Sequence, residues 1–257
     1  MEAPLKPERK SNRPVVAAVV GNLAIASIKL VAAAASQSSA MLSEAIHSLV
    51  DTGNGLLIMV GVRRSQRPAD EAHPYGHGKE LYFWTLIVAI AIFAFGGGLS
   101  IYEGIRHVIH PAQLQHLGWS LIVLASAAVF ESASFAIAYR EFRKSRPSGS
   151  LWSQIQASKD PATFTVLIED GAALAGIAVA AVATVLNRLL DAPVLDGVGS
   201  LVIGAILIGV AFLLARESRG LLIGESADKV LLAKVQQALK EDPAVVRIAK
   251  LLSMQLG

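Results

Sequence analysis

Hydrophobic positions along the chain fall into six long runs, separated by short segments rich in glycine, proline or charge. A helix needs about 20 mostly apolar residues to cross the roughly 30 Å hydrocarbon core of a bilayer. Each run is long enough, so the pattern predicts six membrane-spanning helices. The predicted spans are residues 14–36, 39–62, 80–109, 116–139, 161–186 and 194–215. We therefore expect an all-α membrane protein whose transmembrane domain covers residues 1–215.

The pattern changes after residue 215, where the chain becomes polar enough for a soluble segment. Ser226 is a candidate N-cap for a helix that continues to about Lys240, and an Asp-Pro pair then ends it. Residues 245–252 alternate between apolar and polar positions and predict one β-strand. One helix and one strand cannot bury a core of their own. We therefore expect residues 216–257 to form a short cytoplasmic α/β tail that is truncated, or that another subunit completes.

The composition agrees with a bilayer environment. Hydrophobic residues make up 53% of the 257 residues and charged residues only 17%, whereas soluble domains carry about 25% charged residues. The absence of cysteine excludes disulfides, thiolate metal sites and cysteine nucleophiles. Aromatic residues are sparse, and no basic stripe is interleaved with them, so nucleic acid is not an expected partner.

The positions of the basic residues predict the orientation in the membrane. Twenty of the 23 Lys and Arg residues precede the first span, follow the last span, or lie in the second and fourth connections. Only Arg106, near the end of the third span, and Arg188, in the fifth connection, lie on the other side, and Lys29 is inside the first span. Basic residues concentrate on the cytoplasmic side, so both termini are expected there, in the cell or inner membrane if the protein is bacterial. Residues 150–157 predict a short helix at the membrane interface.

Ionisable residues interrupt the second predicted span. His47 and Asp51 are four residues apart and share one helical face, and Glu44 lies close to that face. Charges at membrane depth are costly and mark function by default. An imidazole and a carboxylate one turn apart suit zinc and its neighbours better than magnesium or calcium. The structural alternative is a hydrogen-bonded His–Asp pair that holds helices together.

The fifth predicted span supplies a second pair of carboxylates, Glu169 and Asp170. The helical rise of about 1.5 Å per residue brings Asp51 and Asp170 to similar depths near the membrane centre. Carboxylates that share an apolar site retain protons until a cation displaces them. These residues therefore predict a site that exchanges metal for protons. Glu169 points about 100° away from Asp170 around the helix, so it can alternatively face a basic group or the lipid.

Other charged or small residues in the spans have simpler interpretations. Lys29 is close enough to the outer end of its helix to extend towards the interface. Glu131 can pair with it or line the ion path. Asp196 begins the sixth span, where the helix dipole favours a carboxylate. The glycines at 96–98 indicate close packing or a flexible point.

A second candidate metal site lies in the second connection. One carboxylate and two imidazoles occur within eight residues there, shaped by proline and glycine. These residues are Asp70, His73 and His77. The alternative is an ordinary solvated loop. Three further histidines at positions 107, 110 and 116 lie on the opposite side, where loose metal capture competes with an interfacial role.

Together these features resemble the cation diffusion facilitator family, the proton-coupled zinc transporters. The resemblance rests on His-Ser-Leu-Val-Asp at 47–51 and His-Pro-Tyr-Gly-His-Gly-Lys at 73–79, with six spans and an acidic fifth span. It implies a transport site with two residues from the second span and two from the fifth. On this site fall His47, Asp51 and Asp170. It also implies a metal site with the spacing Asp-x-x-His-x-x-x-His, on which fall Asp70, His73 and His77.

The fifth span departs from the family pattern of His-x-x-x-Asp, because Val166 occupies the histidine position. Glu169-Asp170 instead resembles a divergent branch that includes mitochondrial zinc transporters, and Glu169 is the natural substitute ligand. Exchanging a nitrogen ligand for oxygen moves the preference towards manganese or iron. We expect zinc as the main cargo, with manganese, iron, cobalt and cadmium as the other candidates, and no cofactor.

The resemblance implies a homodimer held partly by a metallochaperone-like tail. The expected function is a divalent cation/proton antiporter that exports metal from the cytoplasm by alternating access. One alternative is a membrane-embedded, metal-dependent hydrolase, although its usual His-Glu-x-x-His string is absent. The other alternative is a metal-binding partner subunit that does not itself transport.

Overall fold

The structure is a computed structural model, and it describes residues 13–145, 161–227 and 229–254. The described residues form α-helices and one π-helical segment, Ile92–Gly98, which joins α3 to α4 within the third span. The interfacial helix predicted at residues 150–157 lies outside the described residues. The helices are α1 Arg13–Ser36, α2 Ser39–Ser65, α3 Glu80–Ala91, α4 Leu99–Ile109, α5 Leu117–Ser145, α6 Pro161–Leu190, α7 Val194–Ile223 and α8 Lys229–Glu241.

Five helical stretches of the described residues are long and apolar enough to cross a membrane, and α1 adds a shorter apolar stretch, Asn22–Ser36. The five stretches coincide with the second to sixth predicted spans. Large apolar side chains are exposed around the bundle, as expected where lipid rather than water covers the surface. Among these exposed residues are Val31, Phe93, Ile137, Val182 and Phe212. The prediction of an all-α, multi-pass membrane protein is confirmed.

The helices are longer than the hydrophobic runs that predicted them. The second predicted span ends at residue 62 and α2 at Ser65, whereas the sixth ends at residue 215 and α7 at Ile223. A helix can continue beyond the hydrocarbon because its backbone hydrogen bonds are internal. The α7 helix ends at Gly224, whose φ of 107° gives the left-handed conformation typical of a glycine after a helix.

The α2 helix lies inside the bundle, where it packs against α1, α3, α6 and α7. We call the side of the bundle that carries residues 37–38, 110–116 and 191–193 the distal side, and the opposite side the proximal side. The N-terminus of α2 is at the distal side. A chain of hydroxyl hydrogen bonds runs from Ser43 to Ser200 at 2.5 Å and on to the carbonyl of Ser100 at 2.8 Å. This chain joins α2, α7 and α4.

The glycines of the third span serve close packing. A Cβ atom at Gly97 would lie 2.5 Å from Ile208 Cγ1, and one at Gly96 would lie 3.3 Å from Leu207 Cδ1. Both neighbours are on α7. The third span can therefore approach α7 this closely only because residue 97 has no side chain, as the packing interpretation predicts.

The tail differs from the prediction in one respect. The predicted helix is present as α8 and ends at Glu241, just before the Asp-Pro pair. The strand predicted at residues 245–252 is wrong, because no described residue pairs with this segment as a strand. A single strand leaves its backbone groups without partners, which accounts for the difference. The Ser226 hydroxyl contacts that of Ser253 at 3.0 Å.

Candidate metal centre

The bundle encloses a group of polar side chains between α2 and α6, which we call the mid-membrane cluster: His47, Asp51, Glu169 and Asp170. On α2, His47 and Asp51 lie about 12 Å and 18 Å from the first residue of the helix. Glu169 and Asp170 lie in the proximal half of α6. Three of the four are almost fully buried, and Asp51 is partly buried.

Glu169 is held between two residues of α2. Its Oε1 accepts a hydrogen bond of 2.8 Å from Asn54 Nδ2, and its carboxyl group shares a hydrogen bond with that of Asp51. Two carboxyl groups can share a hydrogen bond only when one of them carries a proton. With 3% of its surface exposed, Glu169 does not face lipid, and its partners are an amide and a carboxyl rather than a basic group. The carboxyl groups of Asp51 and Glu169 therefore meet at the junction of α2 and α6, in a contact that would require a proton.

Asp170 is anchored by α5. Its Oδ2 accepts a hydrogen bond of 2.8 Å from Ser134 Oγ, and it is close enough to Asp51 for the two groups to interact electrostatically. Glu131, also on α5, lines a narrow cleft together with Asp51 and Ser48. The role of Ser134 could not be predicted from the sequence, because a single serine in an apolar span forms no recognisable motif.

His47 is buried, with 3% of its surface exposed, and neither ring nitrogen has a hydrogen-bond partner. Buried polar groups normally find a partner, because an unpaired one costs about 1–3 kcal/mol. The predicted alternative of a His47–Asp51 hydrogen bond that holds helices together is therefore wrong. An unpartnered imidazole one helical turn before a carboxyl group supplies nitrogen and oxygen donors of the kinds that zinc accepts.

The loop residues Asp70, His73 and His77 are brought together. Their ligand atoms all lie within 4.8 Å of one another, and theirs is the one such set of three or more metal-ligating side chains among the described residues. The Asp70 Oδ1 atom is 3.0 Å from His73 Nδ1, and its Oδ2 atom is 3.6 Å from His77 Nε2. The candidate ligand atoms of the mid-membrane cluster lie farther apart than those of the loop residues. They must therefore move towards one another to share one ion.

The hydrogen bonds of the loop fix how each imidazole is oriented. The Nδ1 atom of His77 lies 3.2 Å from the carbonyl oxygen of Pro68. A carbonyl can only accept, so this nitrogen carries the hydrogen, and Nε2 of the neutral ring retains its lone pair. In metal sites, carbonyl groups that accept a hydrogen bond from the other ring nitrogen orient the histidine in the same way. Hydrogen bonds from the side chain and backbone of His73 hold the pKa of Asp70 below its ordinary value.

Lys29 does not extend towards the interface as predicted. Its side chain is fully buried, and its ammonium group lies 3.3 Å from Glu44 Oε2 and 2.7 Å from Ser48 Oγ. The helical rotation of α1 directs Lys29 towards α2, which a hydropathy pattern does not specify. Glu131, the partner considered from the sequence, lines the cleft beside Asp51 instead.

Asp196 also has a different role from the one expected. Rather than serving only the N-terminus of its own helix, its buried carboxylate accepts hydrogen bonds from Ser38 Oγ at 2.6 Å and from Ser39 Oγ at 2.9 Å. The backbone N–H groups of Ser39 and Ala40 also donate to it. Asp196 therefore caps α2 from α7, and His107 Nε2 lies 3.7 Å away.

Similarity to known proteins identifies the family of the chain. The family described as the cation efflux transmembrane domain matches residues 15–223, which cover most of the chain. The chain belongs to the cation efflux family. This membership confirms the resemblance to the cation diffusion facilitators, and it places the chain among transporters rather than enzymes, which removes the hydrolase alternative.

Several curated proteins are similar to this cation efflux family member. It is 38% identical over 231 residues to the mitochondrial proton-coupled zinc antiporter SLC30A9 of Xenopus laevis, a match that covers 89% of this chain and 41% of that protein. The human protein of the same name is 35% identical over 222 residues, or 86% of this chain and 39% of that protein. Metal tolerance protein C4 of Arabidopsis thaliana is 32% identical over 240 residues, which cover 93% of this chain and 52% of that protein. The chain thus spans between 39% and 52% of the length of these relatives.

Proposed function

We propose that the chain is a divalent cation/proton antiporter that exports zinc from the cytoplasm. The observation that carries this proposal is the contact between the carboxyl groups of Asp51 and Glu169 inside an apolar bundle, with the unpartnered imidazole of His47 one helical turn before Asp51. The names of the mitochondrial zinc antiporters to which the chain is similar support the same cargo and the same exchange. Manganese, iron, cobalt and cadmium are the competing cargoes.

In the proposed mechanism, the cation binds to His47, Asp51, Glu169 and Asp170 and displaces the proton that Asp51 and Glu169 share. Neutral imidazole and ionised carboxylates favour the loaded state, and protonation of the same groups favours release. Movements of the spans expose the cluster alternately to the two sides of the membrane. The exchange is coupled because cation and protons compete for the same oxygen and nitrogen atoms.

We propose that Asp70, His73 and His77 form a second metal site on the cytoplasmic side. Their mutual distances and the carbonyl-oriented ring of His77 support this assignment. The proximal side carries most of the basic residues, so we place it, and both termini, in the cytoplasm. We further propose that two copies of the chain form a homodimer, as the family resemblance implies.

Zinc flux into proteoliposomes under an imposed pH gradient tests the proposal. The purified protein, without another subunit, should move zinc in the direction opposite to the proton flow. The Asp51→Ala variant should reduce the zinc flux at least about tenfold, because a ligand and a proton site are both lost. Glu241→Ala, which removes an exposed carboxylate on α8, is the matched control. Flux at the wild-type rate in Asp51→Ala would show that the site is misassigned, and no flux from the wild-type protein would favour a non-transporting partner subunit.

A further inference from the structure

A buried ion pair lies next to the mid-membrane cluster but supplies none of its ligands. Lys29 on α1 and Glu44 on α2 have fully buried side chains and an N–O distance of 3.3 Å. The ammonium also donates to Ser48 Oγ at 2.7 Å. The second carboxylate oxygen, Glu44 Oε1, has no hydrogen-bond partner and lies against Gly176 of α6, so closely that a Cβ atom there would collide with it. The pair therefore lies where α1, α2 and α6 meet.

Stability alone does not account for this pair. Burying two charges costs several kcal/mol per ion, and well-packed apolar residues of similar volume are often as stabilising or better. The cost is higher here because one carboxylate oxygen has no donor. In a bundle whose remaining interior is mostly apolar, a charge pair of this kind calls for a use in function.

The position of the ammonium indicates that use. Ser48, which accepts its hydrogen bond, directly follows His47 along α2. Lys29 interacts electrostatically with His47, Asp51 and Glu131. A divalent cation bound to the mid-membrane cluster would therefore experience a fixed positive charge, and like charges repel strongly where water is scarce. Glu44 holds that charge in place and partly offsets it.

We propose that Lys29 is a fixed counter-cation that sets the affinity of the mid-membrane cluster for its divalent cation. Its charge keeps binding weak enough for the cation to leave, and Glu44 positions it. This role rests on the proposed transport function, because it concerns the same cluster. Neither residue contacts the cation. Both act through the electrostatic potential at the ligands.

This role predicts that the two single substitutions have opposite effects. Lys29→Met removes the positive charge and leaves the Glu44 carboxylate to attract cations, so the zinc Kd should fall about tenfold. Glu44→Gln leaves the ammonium unopposed, and the zinc Kd should rise by a similar factor. The double variant Lys29→Met/Glu44→Gln restores the balance and should bind zinc close to the wild-type Kd. Lys29→Arg keeps the charge and should do the same.

Zinc titration by calorimetry on the purified full chain tests this order. All variants carry His73→Ala and His77→Ala, so that the loop residues do not contribute. In proteoliposomes, Lys29→Met should show a lower KM for zinc together with a lower maximal rate, because release becomes slower. Thermal unfolding in detergent identifies any variant that does not fold. If a single variant fails to fold, the zinc Kd of Lys29→Arg and of the charge-balanced double variant can still be compared with that of the wild-type protein.

A purely structural pair would weaken zinc binding in both single variants, and that outcome, or no change in either, overturns the proposal. The wild-type cluster and Asp51→Ala are titrated in parallel. If the wild-type cluster binds no zinc, or if Asp51→Ala binds it equally well, the proposed function itself fails. If zinc binding requires Asp51 but the opposite effects are absent, only the role of Lys29 fails.

Discussion

The carboxyl groups of Asp51 on α2 and Glu169 on α6 meet inside the membrane-spanning bundle. The pair connects the two helices that carry the proposed ligands, and Asn54 holds Glu169 in place through a neutral amide. A neutral donor fixes the geometry without adding charge, so cation and proton can still compete for the same carboxyl oxygens. Under the proposed function, the group at position 169 therefore determines whether metal movement is coupled to protons.

Glu169→Gln tests this coupling directly. Glutamine can still hydrogen-bond to Asp51 and Asn54, but it has no exchangeable carboxyl proton. We expect zinc to move through the variant with a weaker dependence on the imposed pH gradient and at a rate reduced about tenfold. The measurement is zinc flux into proteoliposomes at several pH gradients. Asn54→Asp, which would add a carboxyl at the same contact, provides a comparison, and an unchanged pH dependence in Glu169→Gln would remove Glu169 from the proton pathway.

Val166→His tests the departure from the family pattern. Val166 lies one turn before Asp170 on α6 and is 38% exposed, so an imidazole there has space to approach the carboxylate. A nitrogen ligand favours zinc over manganese, and we expect the ratio of zinc flux to manganese flux to rise several-fold. The control is Val185→His, which adds the same imidazole to an exposed position far from the cluster on α6. An equal change in both variants would contradict the ligand assignment.

At the scale of the helix, the N-terminus of α2 depends on a carboxylate from elsewhere in the bundle. Ser38 caps α2 locally, with its hydroxyl accepting from the N–H of Met41 at 3.0 Å. Asp196 then takes the donors that a serine cannot satisfy, and its charge lies at the positive end of the helix dipole. Sequence-local capping rules describe only the first of these contacts.

Asp196→Asn should therefore destabilise the bundle by about 1–2 kcal/mol. The amide keeps one acceptor oxygen but loses the negative charge and presents an N–H₂ group to other donors. The measurement is the midpoint of thermal unfolding in detergent. The matched control is Asp191→Asn, because Asp191 has a positive φ of 48° that asparagine also tolerates. A similar loss of stability in both variants would argue against the capping role.

Some features of the helices follow from neighbouring residues in the sequence, whereas others depend on how the helices pack. Hydrophobic runs predicted the spans because bilayer thickness sets helix length, and the spacing of His47 and Asp51 predicted one shared face because helical periodicity is fixed. The Lys29–Glu44 pair could not be predicted, since it depends on the rotation of α1 relative to α2. The strand at residues 245–252 failed for the related reason that a strand needs a partner, which the local alternation does not reveal.

For the whole molecule, the distribution of charge predicts how the bundle lies in the membrane. The proximal side carries the loop with Asp70, His73 and His77, and the chain beyond α7 also begins there. Lys79 connects the two, because its ammonium donates to the carbonyl of Leu222 at 3.3 Å, at the end of α7. The proposed loop metal site and the start of the tail therefore share one surface.

The absence of cysteine makes this orientation testable without background labelling. We expect Ala69→Cys, in the proximal loop, to react with a membrane-impermeant maleimide only after the cells are permeabilised. Gln113→Cys, in the distal connection, should react in intact cells, because both positions are exposed and differ only in the side they occupy. The reverse pattern would invert the proposed direction of export.

The cap on α2 restricts how the molecule can change shape. If the distal end of α2 separated from α7, the buried Asp196 carboxylate would lose its hydrogen-bond donors. The Ser43–Ser200 hydrogen bond joins the same two helices. We therefore expect α2 and α7 to move as one rigid unit, to which α4 is joined by the hydrogen bond from Ser200 to the carbonyl of Ser100. In the proposed transport cycle, relative sliding would then fall at the boundary between α2 and α6, where Asp51 meets Glu169, so the parts that move would meet at the proposed cation site.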